Sequence, residues 1–190
     1  VDQALAYFLN FYLETGDEEV LKFIVHFYNY RVPQDASLQF KNKWRKLYQY
    51  NQDLPIDQRI KVLGFDVPIT GELTATYLAH LVPDQETGFS FIDSLTYAKN
   101  FDIEELNIRS GKPIMKSGKP WSYFFGGLKT ELYRKLVEAY EKDSALVLEA
   151  FGENRDEVQR LLSPPKVKGR EQFIYENFKA IAQPLLDSGE

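Results

Sequence analysis

Two stretches of this chain combine cationic and aromatic side chains in the way a site for anions requires. The first is Leu106 to Gly127, LNIRSGKPIMKSGKPWSYFFGG. Arg109, Lys112, Lys116 and Lys119 fall within eleven positions, and no Asp or Glu stands between Glu105 and Glu131 to neutralise them. Such side chains meet phosphates or carboxylates through charge-assisted hydrogen bonds. The near-repeat Arg109-Ser-Gly-Lys-Pro and Lys116-Ser-Gly-Lys-Pro has no helical period, and each proline lacks a donor. The stretch is therefore expected as an exposed loop or two-stranded tongue, the kind of segment that carries function when a rigid scaffold holds it. Trp121, Tyr123 and Phe124 come next as an aromatic anchor, expected to pack against the helix that begins at Leu128.

The second stretch is Phe40 to Tyr50, FKNKWRKLYQY, where Lys41, Lys43, Arg45 and Lys46 alternate with Phe40, Trp44, Tyr48 and Tyr50. On a helix Trp44, Leu47 and Tyr48 share one face, and the cations spread over the others. This suits a core face backed by a solvated basic one. It equally suits phosphate contacts combined with aromatic stacking, as in single-strand binders. Both readings stay open on the sequence.

Other candidates carry less chemistry. His26 and His80 sit among apolar neighbours, and neither has a histidine or carboxylate one turn away on its own helix, so both read as structural. Glu18/Glu19 and Glu104/Glu105 are adjacent in sequence and fall in first helical turns, where the helix dipole accounts for them. Gly111 to Lys119 looks superficially like a phosphate loop. Six residues separate Gly111 from Gly118 where that loop has four, and Pro120 stands where a Ser or Thr would hold magnesium. With no cysteine in the chain, thiolate metal sites, disulfides and cysteine nucleophiles are excluded. No cofactor or metal site is expected.

The elements that would position these residues are helices. Leu5, Phe8, Leu9, Tyr12 and Leu13 make one helical stripe; Gly16 closes it, and Asp17 caps a second helix ending before Pro33. Asp35 caps a third, to about Tyr50, and Pro55 opens a short fourth that Gly64 ends. Further helices are expected over Thr74–Val82, from the Ser90/Asp93 capping box to Asn100, over Leu128–Phe151, from Asn154 to Leu162, and around Phe173–Leu185. Alternation of period two is absent outside the tongue. The class is all-α, an irregular bundle of about nine short helices, with one loop or two-stranded ribbon near the middle.

The stretch Ile60 to Leu81, with its Pro68-Ile-Thr-Gly71 turn feeding a helix, is faintly similar to the closing segment of peptidoglycan-binding domains. Thr74 stands where that family has an acid, and the upstream helices lack its Leu-Gln and Phe-Gln signatures. The likeness does not identify a family.

At 190 residues the chain suits one domain, or residues 1–107 and 128–190 as two helical lobes joined by the tongue at 108–127. It is 44% hydrophobic and 15% aromatic, enough for a substantial core. A net charge of −5 argues against bulk attraction to nucleic acid but leaves local basic patches open. No apolar run is long enough to span a bilayer. The start at Val1 fits a fragment or a processed form. The expectation is a non-catalytic helical binding or assembly module that acts through the exposed basic, aromatic-anchored loop, with another protein or complex subunit as its partner. The alternative is a nucleic-acid-contacting subunit. A third reading is an enzyme whose carboxylates converge only in the fold.

Overall fold

The computed structural model describes residues 1–31, 38–66, 68, 71–84, 87–99, 101, 128–162 and 169–188; for 26–31, 128 and 170 it describes the backbone alone. The tongue, with Arg109, Lys112, Lys116, Lys119, Trp121, Tyr123 and Phe124, lies outside the described residues, as does the His26 side chain. The protein is all-α. Its helices are α1 (Gln3–Thr15), α2 (Glu18–Arg31), α3 (Leu38–Gln52), α4 (Gly71–Leu81), α5 (Ser90–Asp93), α6 (Leu128–Lys142), α7 (Ser144–Ala150), α8 (Arg155–Leu162), α9 (Gly169–Ile181) and α10 (Gln183–Ser188). No helix among the described residues is long and apolar enough to cross a membrane.

Local chemistry sets the first boundaries. The Asp2 carboxylate accepts from the Leu5 amide at 2.8 Å and starts α1. Gly16 ends it at φ 68°, its amide donating to the Tyr12 carbonyl. A β-carbon on Gly16 would stand 2.6 Å from the Tyr48 ring, so this turn needs glycine for both conformation and space. The Asp17 carboxylate then accepts from the Glu19 amide at 2.8 Å and opens α2. The hairpin buries Phe8, Leu9, Tyr12 and Leu13 of α1 against Val20, Leu21, Phe23 and Ile24 of α2.

Past α3 the chain departs from the expected fourth helix. Pro55 opens only a single 3-10 turn, Ile56–Gln58, and Arg59 is already extended. From Arg59 to Asp66 the chain forms a strap. The Asn51 side-chain amide donates to the Ile60 carbonyl at 3.0 Å and accepts from the Ile60 amide at 2.9 Å. Asn10 does the same to Val62, at 2.9 and 2.7 Å. The Phe65 and Asp66 amides both donate to the Val1 carbonyl. These partners satisfy the backbone without a helix. Gly64 lies directly on the start of α1, where a β-carbon would meet the Asp2 carbonyl oxygen at 2.5 Å.

Helix α4 is the centre of the fold. It packs on α1, α6, α8 and the 3-10 turn Ser94–Lys99, and Glu72 through Ala79 are all buried. Its shell is polar at several points. The Tyr77 hydroxyl donates to the Glu157 carboxylate on α8, and the Asn154 amide donates to the Leu81 carbonyl at 2.8 Å. Asn154 thus ties off the end of α4 and does not cap α8. The expected Ser90/Asp93 box is also displaced: the Asp93 carboxylate accepts from the amide and hydroxyl of Thr87. Asp143 splits the long helix expected to Phe151, capping α7 through the Leu146 amide at 3.1 Å. The last helix is likewise divided at Ala182, with Pro184 in the first turn of α10, where a missing donor costs nothing.

Candidate functional site

Helix α3 carries the candidate surface. Its sequence, LQFKNKWRKLYQYNQ, contains four cations and no acid. One stripe faces inward: Trp44 and Asn51 are buried, and Phe40, Leu47 and Tyr48 pack partly against the core. The helix lies on α1. On another face Gln39, Asn42, Lys43, Lys46, Leu47 and Tyr50 line an open groove of about 720 Å³. Their spacing of three, one, three, one and three is a single face of an α-helix some three turns long.

The four expected cations have different roles. Arg45 reaches across to α2 and grips Glu18 with two bonds, Nε to Oε1 at 2.8 Å and Nη2 to Oε2 at 2.6 Å. The Arg45 hydrogen bond holds the Glu18 carboxyl below its usual range, and the same pairing raises the guanidinium. This is a bidentate pair that ties two helices together, and it leaves little of Arg45 for an outside anion. Lys43 and Lys46 are exposed on the groove face, with Lys43 Nζ 5.4 Å from the centre of the Trp44 ring. Lys41 is half-buried and lies outside the groove lining.

Trp44 is only 7% exposed, and its indole nitrogen is buried with no hydrogen-bond partner among the described residues. Tyr50, at 55%, is the aromatic on this face that a partner can reach. The structure thus brings Lys43 and Lys46 together with Tyr50 and Leu47, while Trp44 is turned into the core beneath Lys43 and Arg45 is turned onto α2. Gln39 and Asn42 complete the face. They were missed because polar amides draw no attention in a sequence, although the helical spacing from Gln39 to Tyr50 already places them with the lysines.

The titratable candidates resolve into structural roles. Glu19 pairs with Lys22 on the surface. His80 lies in an aromatic nest with ring centres at 5.8 Å to Tyr7, 5.9 Å to Phe8 and 5.7 Å to Phe101, the last stacked. Burial lowers its pKa, partly offset by a hydrogen bond with the Lys99 backbone. Burial also raises Tyr77, reinforced by the Glu157 charge beside it. Glu104 and Glu105 lie outside the described residues. Among the described residues no three His, Asp or Glu side chains converge as metal ligands would.

A smaller cleft of about 400 Å³ between α8 and α9 sets Asp156 and Glu176 against Arg160 over Phe173. Its mixed charge gives no single preference for a ligand. Among the described residues the lining of the α3 groove has one sign of charge and an apolar strip of Leu47 and Tyr50, which is a preference. No family model, curated protein or solved structure matches the chain, so what the groove receives has to be argued from its own chemistry.

Proposed function

We propose that the protein is a non-catalytic binding or assembly module that seats an acidic, partly apolar helix of a protein partner along α3. The observation that carries this is the groove from Gln39 to Tyr50, where Lys43 and Lys46 flank Leu47 and Tyr50 on a helix without a single acid. A partner helix laid in such a groove buries apolar side chains at its centre and meets the lysines with carboxylates at its rim. The same proposal gives Arg109, Lys112, Lys116 and Lys119, outside the described residues, the role of a second basic contact.

A nucleic acid would use the same lysines, and the groove gives it less. Base stacking along a strand needs several accessible rings, and with Trp44 buried the groove offers Tyr50 alone among the described residues. Phosphate recognition favours arginine, and Arg45 is held by Glu18. The reading as an enzyme gains nothing from the carboxylates in view, since Glu18 is bound by Arg45 and Glu157 by Tyr77.

The test is a photo-crosslinking amino acid at Gln39, inside the groove, with a second at Glu171 on exposed α9 as control. The expected product from Gln39 is a protein adduct, absent from the control and lost in Lys43→Glu/Lys46→Glu. Equal adducts from both positions, or a nucleic-acid adduct at Gln39, would overturn the proposal.

A further inference from the structure

The charges of this chain are segregated. Helix α3 bears four cations and no acid. Residues 138–157, from the end of α6 through α7 to the start of α8, bear seven acids and two cations. The two regions are carried by different elements. Helix α3 packs on α1, α1 on α4, and α4 on α6 and α8, so the basic groove and the acidic corner are held by different parts of the core.

The corner has the chemistry the groove asks for. Asp143, Leu146 and Glu149 recur every third residue along α7, an acid, an apolar side chain and an acid, all exposed. Leu146 is 39% accessible, although Val147 and Ala150 on the same short helix are buried. Glu149 and the nearby Glu153 are exposed and enter no ion pair among the described residues. Several other acids of the C-terminal half are engaged: Glu131 and Glu138 by Arg134, and Glu157 by Tyr77.

We infer that the occupant of the α3 groove is a second copy of this chain, which presents its α7 corner so that Glu149 and Asp143 meet Lys43 and Lys46 while Leu146 enters beside Leu47 and Tyr50. The inference rests on the reading of α3 as a binding groove and names its partner. Because the two surfaces differ, the contact is head-to-tail. It leaves a free groove at one end of every pair and a free corner at the other, so pairs grow into chains unless the rotation closes a ring. Net charge −5 opposes the approach of two copies as whole bodies, whereas the separated charges orient them. The contact is accordingly of the small, transient class, strengthened at low salt.

Sedimentation velocity on three proteins decides it: the full chain, Lys43→Gln/Lys46→Gln, and Asp143→Asn/Glu149→Gln, in which Asn keeps the cap on the Leu146 amide. The unaltered chain should pass beyond dimer as its concentration rises at about 50 mM salt and should revert to monomer at about 500 mM, where screening is nearly complete. Each variant alone should remain monomeric, with its circular dichroism unchanged. An equimolar mixture of the two variants retains one intact groove and one intact corner, so it should form dimers and stop there. A monomeric wild-type chain at low salt, variants that associate like wild type, or a mixture that stays monomeric would each overturn the inference. Should the wild type be monomeric while Gln39 still crosslinks a different protein through Lys43 and Lys46, the second copy is wrong and the binding groove stands. Should both fail, the reading of α3 falls with the inference.

Discussion

Helices α4 and α3 run in the same fold under opposite demands. α4 is enclosed, and even Glu72, Thr74 and Thr76 are buried. Thr76 is answered on both sides: its hydroxyl donates to the Glu72 carbonyl at 3.0 Å and accepts from Lys129 Nζ at 3.3 Å. The sequence of α4 is dictated by what packs around it. α3 buries Trp44 and Asn51 and leaves most of its circumference to solvent. Folding requires little of that outer surface, yet its charges are all of one sign in a chain whose total is −5. A buried helix shows in its composition how it packs. Where composition is biased and packing does not ask for it, the bias points outward.

The sharpest way to break the contrast is to cut each helix where the other is strong. Leu78→Ala in α4, at a fully buried site, should cost about 2–5 kcal/mol in urea unfolding. A loss under about 1 kcal/mol would mean that α4 is not the enclosed helix described. Asn51→Leu takes from α3 the side chain that joins it to the strap, stranding both backbone groups of Ile60, and should cost about 1–3 kcal/mol. Unchanged stability there would show that water replaces the asparagine and that α3 is held by its apolar stripe and the Arg45–Glu18 pair.

A smaller effect separates the helices by pH. His80 in α4 is kept neutral by burial, whereas the unfolded chain protonates it below about pH 6.5. A lowered folded-state pKa in a base means the unfolded state binds more protons, so this contribution is complete above about pH 6.5 and is lost as pH falls through that region. The melting temperature of His80→Phe should therefore decline less than that of the wild type between about pH 7.5 and 5.5. Parallel curves would show the ring to be solvated. The smallest effect is expected on the groove face of α3: Lys43→Gln/Lys46→Gln should move stability by no more than about 0.5 kcal/mol. A larger loss would make the two lysines part of the scaffold.

Much of this architecture is legible in the residues because it is local. Asp2, Gly16, Asp17 and the stripe from Leu5 to Leu13 state the first hairpin within a few positions of one another. Wherever the deciding partner is distant, the sequence is mute. Asn154 looks like a cap for α8, yet it bonds to Leu81, 73 residues earlier. The stretch after Pro55 looks like the start of a helix until Asn51 and Asn10 are seen to hold it extended. Arg45 looks as available as Lys43 until α2 brings Glu18 beside it. The candidate groove divides in the same way. Its spacing is written along α3, while the burial of Trp44 depends on how α3 lies on the core.

The strap from Arg59 to Asp66 has a consequence for how the native state opens. The amides of Ile60 and Val62, two residues apart, are each held by an asparagine, and those of Phe65 and Asp66 by the Val1 carbonyl. Amide exchange would find slow protons at Ile60 and Val62, the alternation of a β-strand, although the described residues contain no sheet. A strand in a sheet is released as a ladder, each rung loosening the next. Here Ile60 and Val62 depend on different anchors, so replacing Asn10 should free Val62 and leave Ile60 protected. The strap opens one clasp at a time.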